Sequence, residues 1–381
     1  MNSLYARKYR FLLAVIGLIF LQTACYMPFL KTGRNFQNPA PLPFSVNQNP
    51  KPEKAEKMDP TTAKGAVEQE IYQLFMAKDF ASIEKIANQA RAKKERLTGG
   101  YWKIDSVYDA LTTLYAEVPG QDTSDEMWQN RIELLKKWKE KAPESITARV
   151  ALAKAFIDYG WFARGNGLIG SVSAENKELL QERLDLAENE LAEARNLKAK
   201  CPRWYREALF IGMVTGWSLD AFDEIFDEAV KYEPDYLQFY LVKSENLTPK
   251  WNGENGDWQK FVDALPGKLA TLETNEADII YFLVVVNKMN ERSLTINYAM
   301  ISKERIKKGF ADLEKKYGVD NFRLNQFAHV AAVIRDLPAA KEAFDRIGDD
   351  WNEDVWSEEH FRIMKQLTDD DANKDAKIAR K

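Results

Sequence analysis

Cysteine and histidine are nearly missing from this 381-residue chain, which holds two of each: Cys25 and Cys201, His329 and His360. Two cysteines exclude a disulfide-stapled framework. Neither histidine belongs to an H-E-x-x-H or similar spacing, so no metal-hydrolase pattern is present and no metal is expected. Phosphate loops of the G-x-x-x-x-G-K-[ST] type, dinucleotide glycine patterns and G-x-S-x-G elbows are absent too, and no cofactor is expected. A basic excess is also lacking, since the formal charge is −4. Without residues 1–25, which hold Arg7, Lys8 and Arg10 and no acid, 51 basic side chains against 58 acidic ones leave −7. A phosphate-binding surface usually shows as a basic excess, so nucleic acid is not an expected partner. Alternating strand patterns are missing. The one β-branched run, Ile279 to Val286, would be a strand without partners, and a buried helix suits it better.

What the chain does have is apolar spacing of helical period, with 45% hydrophobic and 12% aromatic residues to fill a core. Ile146, Val150, Ala153 and Ile157 step by four, three and four, as do Leu180, Leu184, Ala187, Leu191 and Ala194 in turn; Phe222, Ile225, Phe226, Ala229 and Val230 repeat the pattern. Before them, Val67, Ile71, Leu74 and Phe75 form one stripe and Phe80, Ile83, Ile86, Ala87 and Ala90 another, with Asp79 as a cap and Thr98-Gly99-Gly100 as the hairpin end. A third helix carries Val107 to Tyr115 and closes at Pro119-Gly120; a fourth spans Ser124–Lys141, its lysines interleaved with Glu133 and Glu140 on a solvated face. Further helices are predicted at Trp258–Leu265, Glu276–Met289, Lys303–Tyr317, Asn321–Asp336 and Leu337–Ile347. The fold class expected is all-α, an array of antiparallel helix pairs over residues 66–367 with a polar tail, 368–381.

Ala142-Pro143, Cys201-Pro202 and Glu233-Pro234-Asp235 resemble the turns of tetratricopeptide-type repeats, where proline suits the first helical turn because its missing N–H had no partner. Their spacing is irregular, and the middle repeat carries an insertion, Gly160 to Glu175. At the other end of the chain, Arg7, Lys8 and Arg10 precede the apolar run Phe11 to Leu21, too short to span a bilayer comfortably, which reads as a signal peptide over 1–25. Leu21-Gln22-Thr23-Ala24-Cys25 resembles a bacterial lipobox, with Gln22 departing from its usual apolar residue. The resemblance implies lipid on Cys25 and a membrane anchor; ordinary secretion and an uncleaved anchor are the alternatives. With Tyr26 rather than Asp next, it implies an outer-membrane lipoprotein facing the periplasm. Residues 26–65, carrying Pro39, Pro41, Pro43, Pro50, Pro52 and Pro60, read as a flexible tether. Cys201, at a helix entry, reads as a partly buried structural residue rather than a reactive thiol.

Two motifs exceed what a plain helical array needs: Tyr159-Gly160-Trp161-Phe162-Ala163-Arg164-Gly165-Asn166-Gly167 and Pro249-Lys250-Trp251-Asn252-Gly253. Read functionally, Tyr159, Trp161, Arg164, Lys250 and Trp251 are partner-binding candidates: a guanidinium for an anion and indole rings as walls, with both loops at one end of the array. Read structurally, the glycines relieve the backbone, the rings fill the core and Arg164 pairs with a carboxylate; that reading weighs more, because a superhelix needs such a device wherever it bends.

The motifs resemble bacterial proteins containing domain of unknown function 4034, regarded as tetratricopeptide-like. The resemblance rests on Gly100-Tyr101-Trp102-Lys103, Ala151 to Phe156, Trp161 to Gly167, Trp204-Tyr205, Gly216-Trp217, Leu219 to Asp223, Pro249 to Gly253 and Arg346 to Asp349 before Trp351, over about residues 70–356. It implies an all-helical fold and no activity. Three function classes stand open. The first is a non-catalytic envelope scaffold that binds a protein or peptide partner. The second is an envelope hydrolase using Asp/Glu carboxylates near Trp161 and Arg164, and the third a structural spacer; with 58 acidic residues, carboxylates alone do not favour the hydrolase.

Overall fold

The computed structural model describes residues 54–379 apart from 57, 117–120, 166, 168, 266–273 and 290–295. The expected signal peptide with Cys25, most of the expected tether and Pro119-Gly120 lie outside the described residues. Within them the chain is all-α. Its helices are α1 (Ala63–Met76), α2 (Phe80–Lys93), α3 (Lys103–Thr112), α4 (Asp125–Lys141), α5 (Ile146–Arg164), α6 (Ala174–Arg195), α7 (Pro202–Val214) and α8 (Leu219–Tyr232). They continue with α9 (Leu237–Asn246), α10 (Asp257–Asp263), α11 (Thr274–Met289), α12 (Lys303–Tyr317), α13 (Asn321–Val333), α14 (Leu337–Ile347) and α15 (Glu358–Ala379). The β-branched run lies in α11, and Ile279 to Val286 are all buried.

Short polar side chains start these helices. Asp79, Ser124, Ser145, Ser173, Ser218, Ser302 and Asp320 each accept a hydrogen bond from the amide three residues on, giving a partner to one of the N–H groups that a first turn leaves open. The prolines do this less often than expected. Pro202 occupies the first position of α7, but Pro143 and Pro234 stand three residues ahead of α5 and α9, in the turns themselves. Two more boundaries differ from the sequence pattern. Lys54 and Glu56 form isolated bridges with Asp122 and Tyr115, so the end of the supposed tether lies against the α3–α4 connection. α15 runs on to Ala379, past residue 367, where the apolar period stops.

The packing has a simple parity. The odd-numbered helices pack in sequence, α1 on α3, α3 on α5, α5 on α7, α7 on α9, α9 on α11 and α11 on α13. Even-numbered helices form a second layer: α6 lies against α5 and α7, α8 against α7 and α9, and α12 against α11 and α13. Apolar stripes explain this, since a helix of the inner layer has neighbours on several sides. In α5, Ile146, Val150, Ala151, Leu152, Ala153, Ala155 and Phe156 are buried around the helix, whereas α6 buries only Leu180, Leu184, Ala187, Leu191 and Ala194 along one side.

One set of contacts departs from nearest-neighbour stacking. The α2–α3 loop touches residues far along the chain: the Gly99 amide donates to the Gly318 carbonyl at 3.2 Å, and Arg323 Nε donates to the Gly99 carbonyl at 3.1 Å. Arg96 lies over the Trp102 ring at 3.0 Å and pairs with Asp235 at 2.9 Å, while Lys94 pairs with Glu233 at 2.6 Å. Loops entering α3, α9 and α13 thus meet one another.

Candidate partner-binding surface

α5 does not stop at Tyr159. Gly160 is helical, and a Cβ there would stand 3.0 Å from Leu180 Cδ1, so this glycine lets α6 come close. The helix ends at Gly165, with φ of 70°, and the connection to α6 is therefore shorter than the insertion suggested by the sequence. Since Gly160 to Arg164 are helical, their side chains leave on different sides, and this separates the motif residues.

Tyr159 turns towards α4 and α6. Its ring stacks on Trp128 at 5.8 Å and Arg183 covers it at 3.3 Å; its hydroxyl donates to Asp125 at 2.8 Å. It is buried, and with Phe156 it floors a cleft of ≈ 380 Å³ between α4 and α6, edged by Glu133, Lys136 and Glu182. Trp161 turns instead towards α7, where its ring meets Phe210 edge-on at 6.2 Å. Arg164 lies over the Trp161 ring at 5.0 Å and donates to the Gly165 carbonyl at 2.8 Å. No carboxylate among the described residues pairs with Arg164, although burial pulls its guanidinium below the ordinary value. The expectation that a neighbouring acid would neutralise Arg164 is not met there.

Two residues that sequence reasoning missed complete this corner. Arg206 of α7 lies over the Phe210 ring at 4.9 Å and its Nη1 donates to Glu207 Oε2 at 2.7 Å. Among the described residues, Arg206 Nε and Trp161 Nε1 are both buried without a hydrogen-bond partner. Arg206 and Phe210 are four residues apart on one helix face, but nothing in their spacing says which side of α7 faces α5.

Lys250 and Trp251 form a separate group. Trp251 Nε1 donates to Glu245 Oε1 at 2.8 Å, and Lys250 approaches the same oxygen at 3.7 Å and the Trp251 ring at 5.3 Å; Glu245 also holds Lys288. The loop is tight, because a Cβ at Gly253 would overlap the Leu247 carbonyl. Among the described residues no hydrogen bond, ion pair or ring contact joins this group to Trp161 or Arg164. The Trp251 indole N–H is already used, whereas that of Trp161 is buried without a partner among the described residues.

Beside the Trp161 corner runs a chain of buried ion pairs on the inner layer. Arg203 donates to Glu207 at 2.6 Å, to Asp105 at 3.1 Å and to Asp109 at 3.2 Å, and Tyr236 donates to Asp105 as well. Burial alone would depress the Arg203 pKa, but Glu207, Asp109 and Asp105 push it well above its ordinary value. Burial also opposes ionisation of Glu207, and Arg206 and Arg203 more than offset it. Arg203, Glu207 and Asp109 are thus favoured in their charged forms, whereas burial raises the Asp105 carboxyl and keeps the Tyr236 hydroxyl protonated as a donor. Glu68, whose carboxyl is raised by burial and is partly restored by Lys64, sits on α1 and has no contact with Arg164 or Trp251. Cys201 is buried, its sulfur 3.3 Å from the Tyr108 hydroxyl.

Among the described residues no cluster of three His, Cys, Asp or Glu side chains could hold a metal ion, and no helix is long and apolar enough to cross a membrane. No family model, no curated protein and no solved structure matches the chain, so the likeness to the domain of unknown function 4034 rests on its motif residues alone.

Proposed function

We propose that the chain is a non-catalytic scaffold of tetratricopeptide-like helix pairs that binds a protein or peptide partner through the surface bearing Trp161 and Arg164. Arg164 carries this reading: it is a half-buried guanidinium stacked on an indole with no carboxylate to neutralise it among the described residues. Such a group costs desolvation in the free protein and gains it back when a partner supplies the acceptor. Arginine and tryptophan are also the residue types that most often anchor an interface. The test is in-cell crosslinking with the wild type and Arg164→Ala. Loss of the captured partner at an unchanged melting temperature is the expected result; equal capture by both proteins overturns the assignment of the surface.

The proposed address is the bacterial envelope, with the scaffold tethered by lipid on Cys25 and facing the periplasm from the outer membrane. Support comes from the lipobox-like Leu21 to Cys25 and the proline-bearing stretch behind it. Cys25→Ala is expected to move the protein from the membrane to the soluble fraction, and unchanged fractionation removes the anchor from this account.

A further inference from the structure

The junction of α5 and α7 has an unusual donor inventory. Buried N–H groups in folded proteins nearly always find an acceptor, because one left without a partner has lost its water and gained nothing in return. Trp161 Nε1 and Arg206 Nε are both without one, and they belong to a single stack of rings and guanidinium groups. In that stack, Arg164 lies on Trp161, Trp161 meets Phe210 and Arg206 lies on Phe210. Other buried donors lacking a partner, such as Trp138 Nε1 and Trp258 Nε1, share no neighbouring ring with a second such donor in the way that Trp161 and Arg206 share Phe210. A third donor group, the Arg164 guanidinium, engages one backbone carbonyl and no acid among the described residues.

We propose that this corner is a carboxylate-binding site in which Arg164, Trp161 Nε1 and Arg206 Nε donate to one ligand group and the Phe210 ring walls it. The inference rests on the partner-binding reading and names the chemistry that the partner presents. Charge favours a monoanion. Arg206 is matched by Glu207, which leaves Arg164 as the uncompensated cation, whereas a phosphate would bring a charge of about −1.5 to −2. The donors are preorganised: Glu207 fixes the Arg206 fork and is itself gripped by Arg203 at 2.6 Å. Flat rings beside the donors suit an apolar side chain next to the acid.

A carboxylate comes from an internal Asp or Glu or from a peptide C-terminus, and two probes separate these sources. The first is an acetylated, amidated peptide Gly-Phe-Glu-Gly; the second is acetylated Gly-Gly-Phe with a free C-terminus. The same first peptide with Gln in place of Glu is the control. Binding to the full-length protein in detergent is followed by the indole N–H shift of Trp161, identified by its loss in Trp161→Phe, and the affinities of the wild type and every variant are read by titration calorimetry. Either acidic probe is expected to move that signal while the Gln peptide does not, and the stronger probe names the source. Trp161→Phe, which keeps a ring, and Arg206→Lys, which keeps the charge beside Glu207, are each expected to weaken binding about tenfold, the size of one hydrogen bond to a charged group. No shift with either acidic probe at millimolar concentration overturns the proposal, as does equal affinity in Trp161→Phe and Arg164→Ala. Partner capture that depends on Arg164 while neither probe binds keeps the scaffold reading and removes the carboxylate. Probe binding with no partner captured does the reverse.

Discussion

His329 shows how a single residue can carry information that its sequence context hides. In the sequence it is one of two histidines without a metal spacing. In the fold its ring lies 4.6 Å from Trp356 and 5.7 Å from His360, between α13 and α15. Burial, with a smaller contribution from His360, lowers its pKa from 6.5 to about 4. The folded state therefore binds the proton less readily than the unfolded chain. The contribution to stability is full above pH 6.5 and disappears as the pH falls towards 4. The window is worth about 3 kcal/mol at most. Chemical denaturation of wild type and His329→Leu across that range should show a shallower acid loss in the variant. Equal slopes would mean that the imidazole does not titrate in this interval.

At the scale of the elements, glycine inside helices sets how closely neighbours approach. Gly309 lies within α12, where a Cβ would overlap the Asp278 carbonyl oxygen of α11. Arg305 and Lys308 of the same helix grip the Asp278 carboxylate at 2.8 Å each, so the crossing is clamped beside the glycine. In an exposed helix interior Gly→Ala stabilises by about 1 kcal/mol. Here the sign should reverse, with Gly309→Ala lowering stability by about 1–3 kcal/mol as overpacking does, measured by thermal denaturation. A gain would show that α11 and α12 can separate without cost. Gly160 illustrates why such positions mislead a sequence reader: between Tyr159 and Trp161 it looked like the start of a loop, yet it is a helical contact with Leu180. Periodicity made the helices legible, Lys303–Tyr317 and Leu337–Ile347 to the residue, because a buried stripe must repeat at the helical pitch. The candidate site was half legible. Trp161 and Arg164 stand out in a motif, but Phe210 and Arg206 join them only through the packing of α7 on α5, which local sequence does not encode.

Across the whole molecule, the α2–α3 loop decides whether the helices behave as independent repeats. In an array of purely neighbouring contacts, damage near one end leaves the other untouched. Here Arg323 donates to the Gly99 carbonyl at 3.1 Å and to Gln326 at 2.7 Å, and it lies over the Tyr101 ring at 4.5 Å. Burial lifts the Tyr101 phenol to about 12, so the ring meets the guanidinium as a neutral face. Gly99 and Gly100 have φ of 84° and 76°, a backbone form open to glycine, and a Cβ on Gly100 would come 2.8 Å from Leu313 Cδ1. The loop is thus shaped to meet α12 and α13, more than two hundred positions away in sequence. Arg323→Ala should remove about 1–3 kcal/mol, the size expected for leaving a buried acceptor unpaired. The distinguishing measurement is amide exchange. If the two ends are coupled, Gly99, whose amide donates to Gly318, and its neighbours in 97–103 exchange faster in the variant, together with α13. Faster exchange confined to α13 would instead make the contact incidental, and the array would be open in its energetics even though its loops touch.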